Sequence, residues 1–176
     1  MAKVKLSRSK DYREQLRLFI TLTKPLNAKL RAFNKRYGLL AYNQWNDTQK
    51  IAPDYYDEYF QDLYFIFKNN AENVFQSVYD RFRRTREIKA DKEVVPYISE
   101  YVTQETAQNV ANITESTKRY IQGAVAVAVA EGYSQVDTAY AIQQSTGFSD
   151  NRSKLIARTE THQAMNYASY KTANNL

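Results

Sequence analysis

Cysteine is absent from the 176 residues, and histidine occurs once, at His162. The first absence excludes disulfides, thiolate metal sites and cysteine nucleophiles; the second excludes paired-histidine metal sites and narrows acid–base chemistry. Glycine (4) and proline (3) are scarce as well, leaving too few turn formers for a many-stranded sandwich or barrel. No glycine-rich phosphate loop is present. The longest alkyl stretch, Ala124 to Ala130, is about a third of the roughly 20 residues that a membrane span needs. No apolar run of signal-peptide length follows the basic segment Met1 to Lys10. Together these absences exclude most routes to enzymatic activity, and neither a cofactor nor a membrane partner is expected.

Apolar residues make up 43% of the chain, among them 15 Tyr, 8 Phe and 1 Trp, enough for a real core. The formal charge of +6 conceals alternating blocks. Residues 1–50 carry 12 basic and 3 acidic side chains, 51–80 carry 1 and 6, 81–92 carry 6 and 2, 93–150 carry 2 and 7, and 151–176 carry 4 and 1. Such blocks face different partners or each other.

Apolar spacing predicts an all-α, elongated protein with one long central helix and a C-terminal helical subdomain. Three segments are expected: a basic helical arm over 1–53, a long aromatic-rich helix and linker over 54–95, and a helical domain over 96–176. In the arm, Ser9 or Asp11 caps a helix that Pro25 interrupts. A second helix runs from Pro25, with Leu26, Leu30, Phe33 and Tyr37 on one face, to Gly38, and residues 39–53 form a connection. Asp54 then caps the strongest signal, in which Tyr56, Phe60, Leu63, Phe67, Ala71, Val74, Val78 and Phe82 recur at helical spacing to about residue 88. Further helices are expected over about 97–110, 113–131 and, after a Ser134 cap with Asp137 three residues on, up to Gly147. Gly132 sits where a left-handed C-terminal cap belongs, and Ser149 or Asp150 opens the last helix.

Three constellations bear on function. Tyr55, Tyr56, Tyr59, Phe60, Tyr64, Phe65 and Phe67 place aromatics on more than one side of the long helix, an expected interface with another chain or another copy. Arg81, Arg83, Arg84 and Arg86, with Lys89 and Lys92 behind them, suit either the carbonyl end of a helix or non-specific phosphate contact. Asp54, Glu58 and Asp62 share one helical face and read as a solvated acidic surface, so no metal is expected. His162 is separated from Glu160 around the helix and forms no general-base constellation with it.

Residues 152–168, RSKLIARTETHQAMNYA, carry a motif of another kind. Ile156, Ala157, Arg158, Thr159 and Glu160, followed by Ala164 and Asn166, strongly resemble the signature of the phage head-morphogenesis, or Mu protein F-like minor head protein, family. The resemblance extends over roughly 100–173. Family members continue past this helix into a small further region, whereas the sequence here ends at Leu176. The resemblance implies a non-enzymatic minor head protein of a tailed phage, acting in head morphogenesis, DNA packaging or genome delivery. Its partners would be the portal protein, other capsid or scaffold proteins, copies of itself and packaged DNA. Its location would be the virion, inside the head near the portal, and the host cytoplasm during assembly. The alternative is a non-specific DNA-binding helical protein unrelated to capsids. Within the motif, Arg158 is expected to anchor a neighbouring helix through a buried, charge-assisted bond.

Overall fold

The stripe Leu22, Leu26, Leu30, Phe33, Tyr37 and Ala41 runs at helical spacing straight past Pro25 and Gly38, and the chain follows the stripe. In the computed structural model, which describes residues 2–86 and 95–174 and the side chains of 12–84 and 96–174, a single helix α1 spans Ala2–Thr48. The expected break at Pro25 and the expected connection over 39–53 are therefore corrected. Pro25 and Thr21, whose carbonyl loses its partner, both lie on the exposed side of α1, so the missing bond falls toward solvent while Leu26 and Leu30 stay buried. Gly38 serves contact instead of termination: a Cβ there would stand 3.2 Å from Cγ of Phe148. Helix α1 ends at Gln49, which takes a φ of 55°.

Helix α2, Pro53–Arg86, opens with proline in its first turn and matches the expected helix closely. At 34 residues it is long, but α1 at 47 is longer. Beyond it, α3 (Val95–Tyr101) passes through a π turn (Val102–Thr106) into α4 (Ala107–Ala130). The wider turn brings Tyr101 to the interior beside Val102, Thr106 and Val110, whereas a regular helix at 100° per residue would place Tyr101 about 140° from Thr106. No break falls at 111–112.

The alternating Ala–Val run is helical, as its cap implied. Gly132 takes a φ of 69°, its N–H bonds Val129, and the Tyr133 N–H bonds the Ala128 carbonyl at 2.9 Å, the paired closure of a Schellman motif. Ser134 caps α5 (Gln135–Gln143) by accepting the Asp137 N–H, and its hydroxyl donates to the Asp137 carboxylate. A 3-10 turn (Thr146–Phe148) leads into α6 (Asp150–Asn174), capped by Ser149.

All described elements are helical. Two cores form, each drawing on all three expected segments. One joins Leu26, Leu30, Phe33 and Tyr37 of α1 to Tyr55, Tyr59, Leu63 and Phe67 of α2, with Val110, Ile142, Phe148 and Ala157. The other joins Ala71, Val74, Phe75 and Val78 to Tyr101, Val102, Ala164 and Ala168, with the half-buried Leu18 and Leu22 of α1 packed against it. Helix α6 enters both through alanines, small enough to let neighbouring backbones approach. We expect Gly38→Leu to cost about 1 to 3 kcal/mol despite its gain in helix propensity, because the added atoms meet Phe148. Thermal melting checks this, and unchanged stability would show that the α1 contact has slack.

Candidate functional site

The family-like motif sits on α6, and its register divides it. Ala157, Glu160 and Ala164 are buried with Ser153, Thr161 and Ala168, Ile156 is half-buried, and Arg158, Thr159 and Asn166 are exposed. Among the described residues Asn166 bonds the Nδ1 of His162 alone, at 3.3 Å. Arg158 has no hydrogen bond or ion pair among the described residues, so the expected anchor is corrected: 100° per residue turns Arg158 away from the interior face.

The anchor is Arg152, six residues earlier. Its Nη1 donates to Thr117 Oγ1 at 2.8 Å and to the Gly147 carbonyl at 2.6 Å. Its Nη2 donates to Ser116 Oγ at 2.6 Å and to the Ile113 carbonyl at 3.1 Å. The guanidinium also lies 5.2 Å from the centre of the Tyr120 ring. These contacts fasten α6 to α4 and to the 3-10 turn through neutral oxygens alone. Thr117 extends the network to α2: its hydroxyl proton serves either the Ile113 carbonyl at 2.9 Å or the buried Tyr59 hydroxyl at 3.1 Å. Beside it, Asn34 of α1 donates to Ser153 Oγ at 2.9 Å.

Glu160 faces the interior between α4 and α6. It is 7% exposed and accepts one bond, from Asn109 Nδ2 at 3.2 Å; the same amide group reaches Gln163 Oε1 at 2.9 Å. Burial pushes its carboxyl up to about 7; the Asn109 bond opposes this, and the negative charge of Glu105 adds to it. At the far end of α6, Lys171 holds Glu100 of α3 at 2.9 Å.

The aromatic residues expected to form an interface have divided fates. Tyr55, Tyr59 and Phe67 are buried within the chain, and Tyr56, Phe60 and Tyr64 are half-covered by it. Only Phe65, 63% exposed, presents its ring outward. The buried ones pack edge-on against α1, with ring centres of Phe33 and Tyr59 4.7 Å apart and those of Tyr37 and Tyr59 5.0 Å apart. Their hydroxyls are used as well: Tyr55 donates to the Tyr37 carbonyl at 2.9 Å, and Tyr37 donates to Asp62 at 2.8 Å. Burial raises the Tyr55 and Tyr37 hydroxyls well above the usual tyrosine value. The interface expectation for Tyr55, Tyr59 and Phe67 is therefore corrected, since a 47-residue α1 covers what two short helices would not.

In the basic cluster, Arg83 and Arg84 are exposed and Arg81 is half-buried. Arg84 donates its Nε to the Asp80 carbonyl at 3.2 Å. The side chain of Arg86, and Lys89 and Lys92, lie outside the described residues. Of the acidic face, Asp54 accepts the Tyr55 N–H and Asp62 binds Arg36 at 3.1 Å. Among the described residues, no three acidic, histidine or cysteine side chains gather as metal ligands, and no helix is long and apolar enough to cross a membrane.

Against family models, curated proteins and solved structures, the chain gives no match. The resemblance of 152–168 thus stands on its own residues. Arg152 opens that stretch, yet nothing in its spacing separates it from Arg158. The signal that does is the pair of hydroxyl residues on α4, Ser116 and Thr117, which supplies acceptors at the level of Arg152.

Two stability measurements follow. In urea denaturation, Arg152→Ala is expected to lose about 3 kcal/mol, because it leaves buried acceptors without a donor, while Arg158→Ala changes stability by under about 0.5 kcal/mol. Equal losses would contradict the assignment. For Glu160, the folded carboxyl holds its proton to higher pH than the unfolded one, so stability is greatest below about 4.5 and falls as pH rises to about 7. Glu160→Gln keeps the Asn109 bond and removes this titration. Its advantage over wild type should grow from near zero at pH 4.5 to about 3 kcal/mol at pH 8; a difference independent of pH would place the Glu160 carboxyl in water.

Proposed function

We propose that this chain is a non-enzymatic minor structural protein of a tailed-phage head, held at the portal or capsid interior and acting in head morphogenesis, DNA packaging or genome delivery. The observation that carries this reading is the family-like motif over 152–168. Its place in the fold supports the reading: Ala157 contributes to one core and Ala164 to the other, so the motif lies on the helix around which the body is organised. The partners are the portal protein, other capsid or scaffold proteins, and packaged DNA. The chain passes through the host cytoplasm during assembly and remains in the virion.

DNA contact in this reading is non-specific and falls to the exposed Arg83 and Arg84, together with the excess of cations in residues 1–50. Co-sedimentation with purified portal, with and without DNA and nuclease, tests the assignment. Pelleting that survives nuclease supports the portal role. Pelleting that nuclease abolishes favours the alternative of a DNA-binding protein unrelated to capsids, and absence of both associations overturns the reading. For the DNA surface, affinity should fall steeply with salt through counterion release, and Arg83→Glu combined with Arg84→Glu should weaken it without unfolding the chain. Salt-insensitive binding, or an unaffected double variant, removes this region from the DNA interface.

A further inference from the structure

Two exposed apolar surfaces lie toward opposite ends of α1, and they differ in charge. The first is an open groove of about 520 Å³ between the N-terminal half of α1 and the start of α6. Leu16, Phe19 and Ile20 line it, with Leu16 44% and Ile20 56% exposed, and among the described residues every charged side chain at its edge is a cation: Lys24, Lys154 and Arg158. The second is the corner between α4 and α5, where Val129, Tyr133 and Val136 are each at least half exposed. From residue 120 to residue 151 there is no lysine or arginine, and Glu131 and Asp137 are exposed at the corner; the end of α1 tied to it adds one exposed charge of each sign, Asp47 and Lys50, so the corner stays net acidic.

One molecule cannot bring these surfaces together. The corner is tied to the end of α1, since Gln135 Nε2 donates to the Asn46 carbonyl and Gln49 Nε2 donates to Gln135 Oε1 at 2.7 Å. The groove lies between Leu16 and Asn27 of the same helix, so even its nearer edge is 19 residues before Asn46, a separation of about 29 Å at 1.5 Å per residue. Each surface groups three apolar side chains that are at least partly exposed, and their charges are complementary.

We propose that the acidic apolar corner of one copy docks in the basic apolar groove of the next, making a head-to-tail contact between copies of this chain. The contact is heterologous: each copy presents two different patches, and association continues until a closed ring forms or the chain of copies ends. This inference rests on charge and exposure and is independent of the head-protein reading.

Sedimentation velocity of the full chain over a concentration series tests it. Wild type is expected to grow beyond monomer as concentration rises, and added salt should suppress the growth. Ile20→Glu spoils the groove and Val129→Glu spoils the corner; both positions are exposed, and thermal melting should confirm that both variants fold. Each alone should weaken self-association at least tenfold. Mixed in equal amounts they should form a dimer that grows no further, because one variant keeps an intact corner and the other an intact groove. Charge reversal supplies a second arm: Arg158→Glu weakens association, and adding Glu131→Lys restores it. A wild-type monomer throughout the series overturns the proposal, as does a mixture that stays monomeric. A Val129→Glu variant that associates like wild type also overturns it, because the groove would then be pairing with itself or with another surface.

Discussion

Arg152 brings a full positive charge into a half-buried position with no carboxylate among the described residues to meet it, and five parts of the fold are arranged around that charge. Its four hydrogen bonds end on two hydroxyls and two carbonyls from α4 and the 3-10 turn. Thr117 carries the network to Tyr59 of α2, and Tyr59 packs on Phe33 and Tyr37 of α1. The planar guanidinium suits this role, since its rigid fork of donors can satisfy several fixed acceptors at once. A lysine would present three donors from a single point. The positions of the helices are thus fixed by direction-dependent bonds as well as by apolar contact.

Around that centre the packing is carried by residues of unequal size. Helices α1 and α2 meet through large rings, whereas α6 meets both through Ala157, Ala164 and Ala168. This small face lets α6 lie close to its neighbours, and it leaves Glu160 in a place where water cannot solvate its charge. The consequence is a carboxyl whose ordinary form near neutral pH is mixed, placed on the same face as the alanines because the helical register allows no other position.

Where apolar periodicity is strong, the sequence already described the structure. Helix α2 follows its stripe from Leu63 to Val78, although its first two turns bury Tyr55 and Tyr59 where the expected stripe had Tyr56 and Phe60, and the caps at Gly132, Ser134 and Ser149 perform the local chemistry their residue types imply. Local stop signals misled where burial outweighed them. Pro25 and Gly38 punctuate α1 only on paper, because the proline lies on the solvent side and the glycine admits Phe148. In α6 the interior face is built from Ser153, Ala157, Glu160, Thr161 and Ala164, so hydropathy carries no period there. With that face unmarked, the choice between Arg152 and Arg158 depends on what α4 offers opposite each of them. That relation belongs to tertiary packing and has no counterpart in local spacing.

The claim that Arg152 and Thr117 act as one unit is open to a direct measurement. A double-mutant cycle combining Thr117→Val, which keeps the shape and removes the hydroxyl, with Arg152→Met, which keeps length and removes the charge, isolates their interaction in urea denaturation. A coupling free energy above about 1 kcal/mol is expected if the two act as one unit. Losses that add to within about 0.3 kcal/mol would mean that the two residues stabilise the fold independently, and would contradict the claim.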